Sequence, residues 1–220
     1  MCQSEARQQT ALAESNEGTK GTLMEQLQEL LVDGLRDIYD AEKQLVRALP
    51  KLAKALSNSE LKDSFNAHLE QTKNQVTRVE RCLELLGQKV KSKPCVAMKG
   101  LVAEAQEHVQ EHEKGEVLDQ MIIAAAQKVE HYEIAAYGTA KAYAKSMGPA
   151  AREALDLIVE TLREEEGQDK ALTGIAIRLQ KDMMRAQSGG GDSEAMEPQS
   201  RSRKTTKKAA RKSSGNGNAA

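Results

Sequence analysis

The feature that most constrains this chain is a carboxylate set into an apolar helix face. The stretch Gln127 to Ala136 reads QKVEHYEIAA. Around it Ile122, Ala125, Ala126, Val129, Glu133, Ala136, Tyr137 and Ala140 recur at helical spacing. Nearly every member of that stripe is apolar, yet Glu133 is an acid, and Glu130 lies one turn earlier at the stripe's edge. Burying a carboxylate is costly unless it is paired or holds a metal. The fold must therefore bring compensating groups to the height of Glu133.

Three more long helices are readable. The first starts near Thr22, with Leu27, Leu30, Leu31, Gly34, Leu35, Ile38, Leu45, Leu49 and Leu52 on one face and Glu42 among them. Pro50 removes a backbone donor and is a candidate kink, and the run SNS at 57–59 is a turn signal. The second spans about Ser59 to Leu86, its stripe interrupted by His68, Thr72 and Gln75, with Gly87 as its stop. The helix carrying Glu133 spans about Glu116 to Ser146 and ends at Gly148-Pro149. The last runs from about Ala150 to Met184, its face interrupted by Glu165 and Asp169.

Residues 87–117 form a long connection that holds a short helix, from about Ala97 to His112. Two hairpins joined by a segment long enough to run back along a bundle give one crossover. The expected fold is all-α: a ferritin-like four-helix bundle with one long crossover carrying a short extra helix. Residues 1–21 lack sustained periodicity and are expected as a disordered arm, 22–186 as the bundle and 187–220 as a disordered basic tail.

Antiparallel helices place residues equidistant from their turn at one height. About Gly148, Glu133 pairs with position 163 and Glu130 with position 166, a window that holds Glu164 and Glu165. About Asn58, Glu42 pairs with position 74, between Thr72 and Gln75, with His68 a turn and a half away. Any one of these acids alone reads as part of a solvated face. Glu42, Glu133 and Glu165 together, each on an apolar stripe and level within its hairpin, read as a polar functional core. Such a carboxylate-rich set suits iron or manganese better than copper. The usual dinuclear bundle uses a Glu-x-x-His pair on each of two helices, and neither the second nor the last helix has one. His131 points off the stripe and is expected at the surface or behind the ligands.

The segments LRDIYDAEKQL (35–45), HLEQTKNQV (68–76), ELLG (84–87), AAAQKVEHYEIAAYGTA (124–140) and LREEEGQDKAL (162–172) resemble the YciF/YciE-type family of bacterial ferritin-like proteins. The likeness covers about Thr22 to Gln180, in the family's order and spacing, and VEHYEIAAYGT is its most specific motif. It implies a ferritin-like bundle, a homodimer and a link to bacterial stress. It also implies a metal set of Glu42, His68, Glu130, Glu133, Glu165 and Asp169 for a dinuclear iron or manganese centre. The chain departs from the family pattern at Gln71, where a Glu is common, and at Gln75, where some members carry His.

Three functions follow as expectations. The first is a ferritin-like stress protein handling iron, oxygen or peroxide, as a ferroxidase- or peroxidase-like oxidoreductase. The second is a metal-free interaction bundle whose carboxylates are satisfied by Tyr137, His68 and Thr72. The third rests on Arg201, Arg203, Lys204, Lys207, Lys208, Arg211 and Lys212, seven cations in residues 201–220, a stretch without acids. Without them, 25 basic residues face 33 acidic ones in the rest of the chain. A basic tail on an acidic body is a candidate nucleic-acid contact through Arg201–Lys212.

Other signals argue less. His108 and His112 share a helix face, but in a polar segment without an HExxH pattern. Cys82 reads as structural and Cys95 as an exposed loop thiol. Three cysteines without a pairing framework make the cytoplasm the expected compartment, and no apolar run approaches the roughly 20 residues of a membrane span. Four Tyr, one Phe and no Trp exclude an aromatic platform for single-stranded nucleic acid.

Overall fold

The structure is a computed structural model that describes residues 3–189, with side chains described from Leu23 onward except at Gln187 and Gly189. The elements are α1 (Gln3–Ala55), α2 (Ser59–Leu85), α3 (Val96–Glu111), α4 (Glu116–Ser146) and α5 (Arg152–Gly189), with a 3-10 turn at Gly148–Ala151. The first helix thus begins well before Thr22. Pro50 lies within α1, exposed. The last helix runs to Gly189, so residues 187–189 of the expected disordered tail are helical; the rest of that tail, with the basic segment Arg201–Lys212, lies outside the described residues.

Local chemistry sets the helix ends. Asn58 caps α2 by accepting from the Leu61 amide at 2.9 Å. At its other end Gly87 takes φ 70°. There the Gly87 amide donates to Glu84 O at 2.9 Å and the Gln88 amide to Leu83 O at 2.9 Å. That is a Schellman closure, and it needs a residue tolerant of the left-handed region. Gly148, at φ 63°, makes the corresponding break after α4.

The four long helices form a ring in which α1 packs on α2, α2 on α5, α5 on α4 and α4 on α1. The crossover from α2 to α4 carries α3, which packs against α1 and α4. This is the single-crossover bundle expected from the loop lengths.

The core is two apolar clusters rather than one. One contains Leu45, Leu49, Leu52, Phe65, Met98, Leu118, Ile122 and Leu172. The other contains Leu31, Leu35, Ile38, Val79, Leu83, Tyr137, Ile158 and Leu162. Each fully buried large side chain of this kind stabilises the bundle by about 1.5–3 kcal/mol. Between them in sequence, on all four long helices, lie the buried polar residues Glu42, His68, Thr72, Gln75, Glu130, Glu133 and Glu165. Among the described residues no helix is long and apolar enough to cross a membrane.

Candidate metal centre

Each long helix contributes at least one polar side chain to the layer between the clusters. The register that puts Leu45 and Ile38 into the core of α1 also buries Glu42, which is 0% exposed. On α2, His68, Thr72 and Gln75 follow Phe65 and precede Val79 along one buried face. Glu130 and Glu133 are 2% exposed on α4, and Glu165 is 0% exposed on α5.

His68, Glu130, Glu133 and Glu165 each offer a donor atom, and these atoms all lie within 4.8 Å of one another. His68 Nε2 is 3.5 Å from Glu130 Oε1 and 4.0 Å from Glu165 Oε2. Glu42 lies beside the group, close enough to repel the charges of Glu165 and Glu133. Its Oε1 accepts from the Tyr137 hydroxyl at 2.5 Å. Gln75 Nε2 donates to Glu165 Oε1 and, at 3.0 Å, to Glu164 Oε2. Arg78 then grips Glu164 with two nitrogens, at 2.6 and 2.9 Å, and reaches Glu160 at 2.6 Å.

Several atoms inside this layer have no hydrogen-bond partner: Glu42 Oε2, both ring nitrogens of His68, Gln75 Oε1, Glu130 Oε2, both oxygens of Glu133 and Glu165 Oε2. Most buried polar atoms in native proteins are satisfied, so this concentration is unusual. Burial pushes the Glu42, Glu130 and Glu133 carboxyls well above the usual range, and their mutual repulsion adds to it. Burial also raises Glu165, to about 7. His68 goes the other way, to about 4, because burial disfavours imidazolium. A neutral imidazole with a free lone pair is a ligand, and a divalent cation supplies the charge that lets crowded carboxyls ionise. Four carboxylates and one imidazole form a hard donor set suited to iron or manganese. By number, chemistry and orphaned atoms, the residues fit a metal.

Asp169 borders this group without offering it a donor atom: its charge acts on Glu130. It is 21% exposed, accepts from Gln127 Nε2 at 3.2 Å and faces His131 Nε2 at 3.6 Å. His131 is 70% exposed, at the surface as expected. Two readings need correction. Thr72 does not satisfy a carboxylate: its hydroxyl donates to His68 O at 2.8 Å, within its own helix. Cys95 is not an exposed loop thiol: it is 2% exposed and caps α3, its Sγ accepting from the Met98 amide at 3.4 Å. Cys82 is buried beside Ala154 O at 3.6 Å, as a structural thiol would be.

Residues that the sequence pattern did not single out include Arg78, which clamps the Glu164 of the register window, Tyr132 with Asp37, and Asp119. Only Asp119 carried a signal. It sits three residues before Ile122, in line with the Glu133 stripe.

Comparison with known proteins is consistent with this architecture. Residues 26–184 match the family described as a domain of unknown function, DUF892. Protein YciF of Escherichia coli (strain K12) is 48% identical over 155 residues, covering 70% of this chain and 92% of that protein. The chain belongs to the YciF-type DUF892 family. The crystal structure of the E. coli stress protein YciF superposes with a TM-score of 0.67 at 47% identity, over 70% of this chain and 97% of that one. YcfI from Rhodopseudomonas palustris gives 0.64 at 40% identity, over 67% and 92%. A Xanthomonas campestris protein at 22% identity shares the fold, with a TM-score of 0.58 over 74% and 99%.

Proposed function

We propose that this YciF-type bundle binds a dinuclear iron or manganese centre and handles iron, oxygen or peroxide under stress. The observation that carries the reading is Glu133: a carboxylate 2% exposed with neither oxygen hydrogen-bonded, facing three further donor residues. Glu133, Glu130, Glu165 and His68 would hold the metal, with Glu42 completing the set from α1. The name of E. coli YciF as a stress protein supports the physiological setting. When bound, iron or manganese supplies redox chemistry toward dioxygen or peroxide.

The chain's own part is positional. Gln75 fixes one oxygen of Glu165 and leaves the other turned toward His68. The Arg78–Glu164 clamp anchors Gln75 from the rim. Tyr137 holds one oxygen of Glu42 and leaves its second free. The apolar clusters on either side keep water out of the layer and so strengthen every charge inside it.

The test is metal content by mass spectrometry. Protein purified without chelator and reconstituted anaerobically with Fe(II) or Mn(II) is compared with Glu133→Ala/Glu165→Ala. About two ions per chain, lost in the variant, is the expected result for a dinuclear site. A single ion would make the centre mononuclear. No uptake by either protein would overturn the reading and favour a metal-free bundle, in which neutral carboxyls pair with Tyr137 and Gln75. A homodimer and a nucleic-acid contact through Arg201–Lys212 are separate proposals. The second predicts a gel shift that weakens with salt and is lost on deleting residues 199–220.

A further inference from the structure

Outside residues 201–220 the chain is acidic, yet its cations are not evenly spread. From Lys43 to Ser59 it holds Lys43, Arg47, Lys51 and Lys54 and no acid. Their spacing by four, four and three residues makes them one stripe on α1. Arg47, Lys51 and Lys54 are exposed, and Lys43 is half-buried with its ammonium 4.8 Å from the centre of the Tyr39 ring. Like charges one turn apart destabilise a helix. Among the described residues none of the four forms an ion pair that would offset this.

The fold extends the stripe. On one side a recess of about 230 Å³ is lined by Lys43, Val46 and Arg47 of α1 and by Lys73 and Val76 of α2. On the other, a recess of about 160 Å³ is lined by Arg47 and Lys51 with Gln44, Ala48, Val102 and Gln106. Neither lining includes an acid. At the end of α1 the Lys114 ammonium donates to Lys54 O at 3.0 Å, which adds a fifth cation. Acids in this part of the fold are engaged: Glu70 pairs with Lys73 at 2.6 Å, Glu60 pairs with Arg178, and Asp119 is held by Ser57 and Asn58.

We propose that the α1 stripe Lys43–Arg47–Lys51–Lys54 docks the phosphate backbone of duplex DNA against the folded body. The inference rests on the nucleic-acid reading of Arg201–Lys212 and gives it a second contact. Eleven residues of helix carry the stripe over about 16 Å. That is enough to cross a major groove about 12 Å wide and meet phosphates on both sides. The scarcity of aromatic residues disfavours a single strand, which binds by base stacking. No large apolar side chain is exposed between Lys43 and Lys54, so the stripe has nothing to insert into a bilayer.

The course of the chain brings the two basic regions together. Arg178 pairs with Glu60, and Gln180 Nε2 donates to Gln120 Oε1 at 3.2 Å. The last helix therefore runs out at the end of the bundle where Lys54 and Lys114 lie. From Gly189 the chain to Arg201 can reach up to about 40 Å, so both regions can meet one duplex. Linked contacts reinforce each other. Four stripe contacts alone are too few for a gel shift, which is why deleting residues 199–220 abolishes it.

The experiment titrates the full chain against a short mixed-sequence DNA duplex by fluorescence anisotropy, between about 50 and 200 mM salt. The test variant is Lys43→Gln/Arg47→Gln/Lys51→Gln/Lys54→Gln. It should bind about tenfold more weakly or worse, with the slope of log affinity against log salt shallower by about 3. The control is Lys141→Gln/Lys145→Gln/Arg152→Gln/Arg163→Gln, the same charge change at exposed positions of α4 and α5, and it should bind as the parent does. A stripe variant that matches this control overturns the stripe and leaves the tail reading standing. A full chain that binds no duplex overturns both. Tighter binding to a single strand of the same length, or binding to phosphatidylserine vesicles and not to duplex, overturns duplex DNA as the partner. All eight substitutions are at solvent-facing side chains, and circular dichroism checks that both variants keep the fold.

Discussion

Two acids on α4 are equally hidden from water and have opposite surroundings. Asp119 is 1% exposed and Glu133 is 2% exposed. Asp119 reaches the α1–α2 turn, where its carboxylate accepts from the Ser57 amide at 2.7 Å, the Ser57 hydroxyl at 2.6 Å and the Asn58 amide at 2.9 Å. Glu133 faces other acids and accepts from nothing. Asp119 is a clamp that ties two hairpins together. Glu133 is a donor kept free, and its desolvation is offset elsewhere in the fold. Burial alone therefore does not mark a functional acid; burial without partners does. Glu42 and Glu165 lie between these extremes, each with one oxygen held and one free.

That contrast predicts opposite responses to substitution. Asp119→Ala removes the acceptor of two backbone amides and a hydroxyl in the α1–α2 turn, and its cost is the largest, about 3 kcal/mol. Urea unfolding of the metal-free protein measures it, and a loss below about 1 kcal/mol would erase the contrast. Glu133→Leu goes the other way. It replaces an unpaired buried carboxyl by a packed apolar side chain and raises metal-free stability by about 1–2 kcal/mol, while metal uptake is lost. If Glu133→Leu destabilises the metal-free protein as Asp119→Ala does, Glu133 has a structural partner after all.

The effect of pH sharpens the same comparison. The raised carboxyls of Glu42, Glu130, Glu133 and Glu165 bind protons more tightly in the folded chain than in the unfolded one. Their contribution is fully present below the unfolded carboxyl range and is lost as pH rises, for Glu165 between about 4.5 and about 7. His68 opposes this: with its pKa lowered to about 4, it costs stability as pH falls from about 6.5 toward 4. Four acids outweigh one imidazole, so metal-free protein should melt at lower temperature at pH 8 than at pH 5.5. Bound divalent metal should flatten or invert that slope, because it favours the ionised ligands. Thermal melts at both pH values, with and without Mn(II), would show it. The smallest effect is Tyr137→Phe, which removes the one donor to Glu42 and costs about 1 kcal/mol without metal.

Much of this was legible in the chain. Helical periodicity fixed α2 and α4 closely, with α4 found at Glu116–Ser146 as expected. Counting from the two turns levelled Glu133 with Glu165, and Glu42 with the Thr72–Gln75 stretch, because antiparallel helices of known rise leave little freedom in height. The site residues Glu42, His68, Glu130, Glu133 and Glu165 are all buried at that level. Asp169 lies one turn beyond Glu165 on the same face of α5, so it differs from the layer in height: it meets Gln127 and His131 at the rim, and only its charge reaches Glu130.

The sequence by itself determined the helices, their order, the crossover and the height of the acid layer, since these depend on local periodicity and loop length. Only the tertiary structure decided which polar atoms meet. Gln75 reaches Glu165 across 90 residues, and Tyr137 reaches Glu42 across 95. It folded Cys95 under the crossover against Tyr132, and it gave Asp119 three donors while leaving Glu133 none. Those outcomes depend on helix rotation and side-chain rotamers, which the packing of all the helices sets together and no single stretch of sequence encodes.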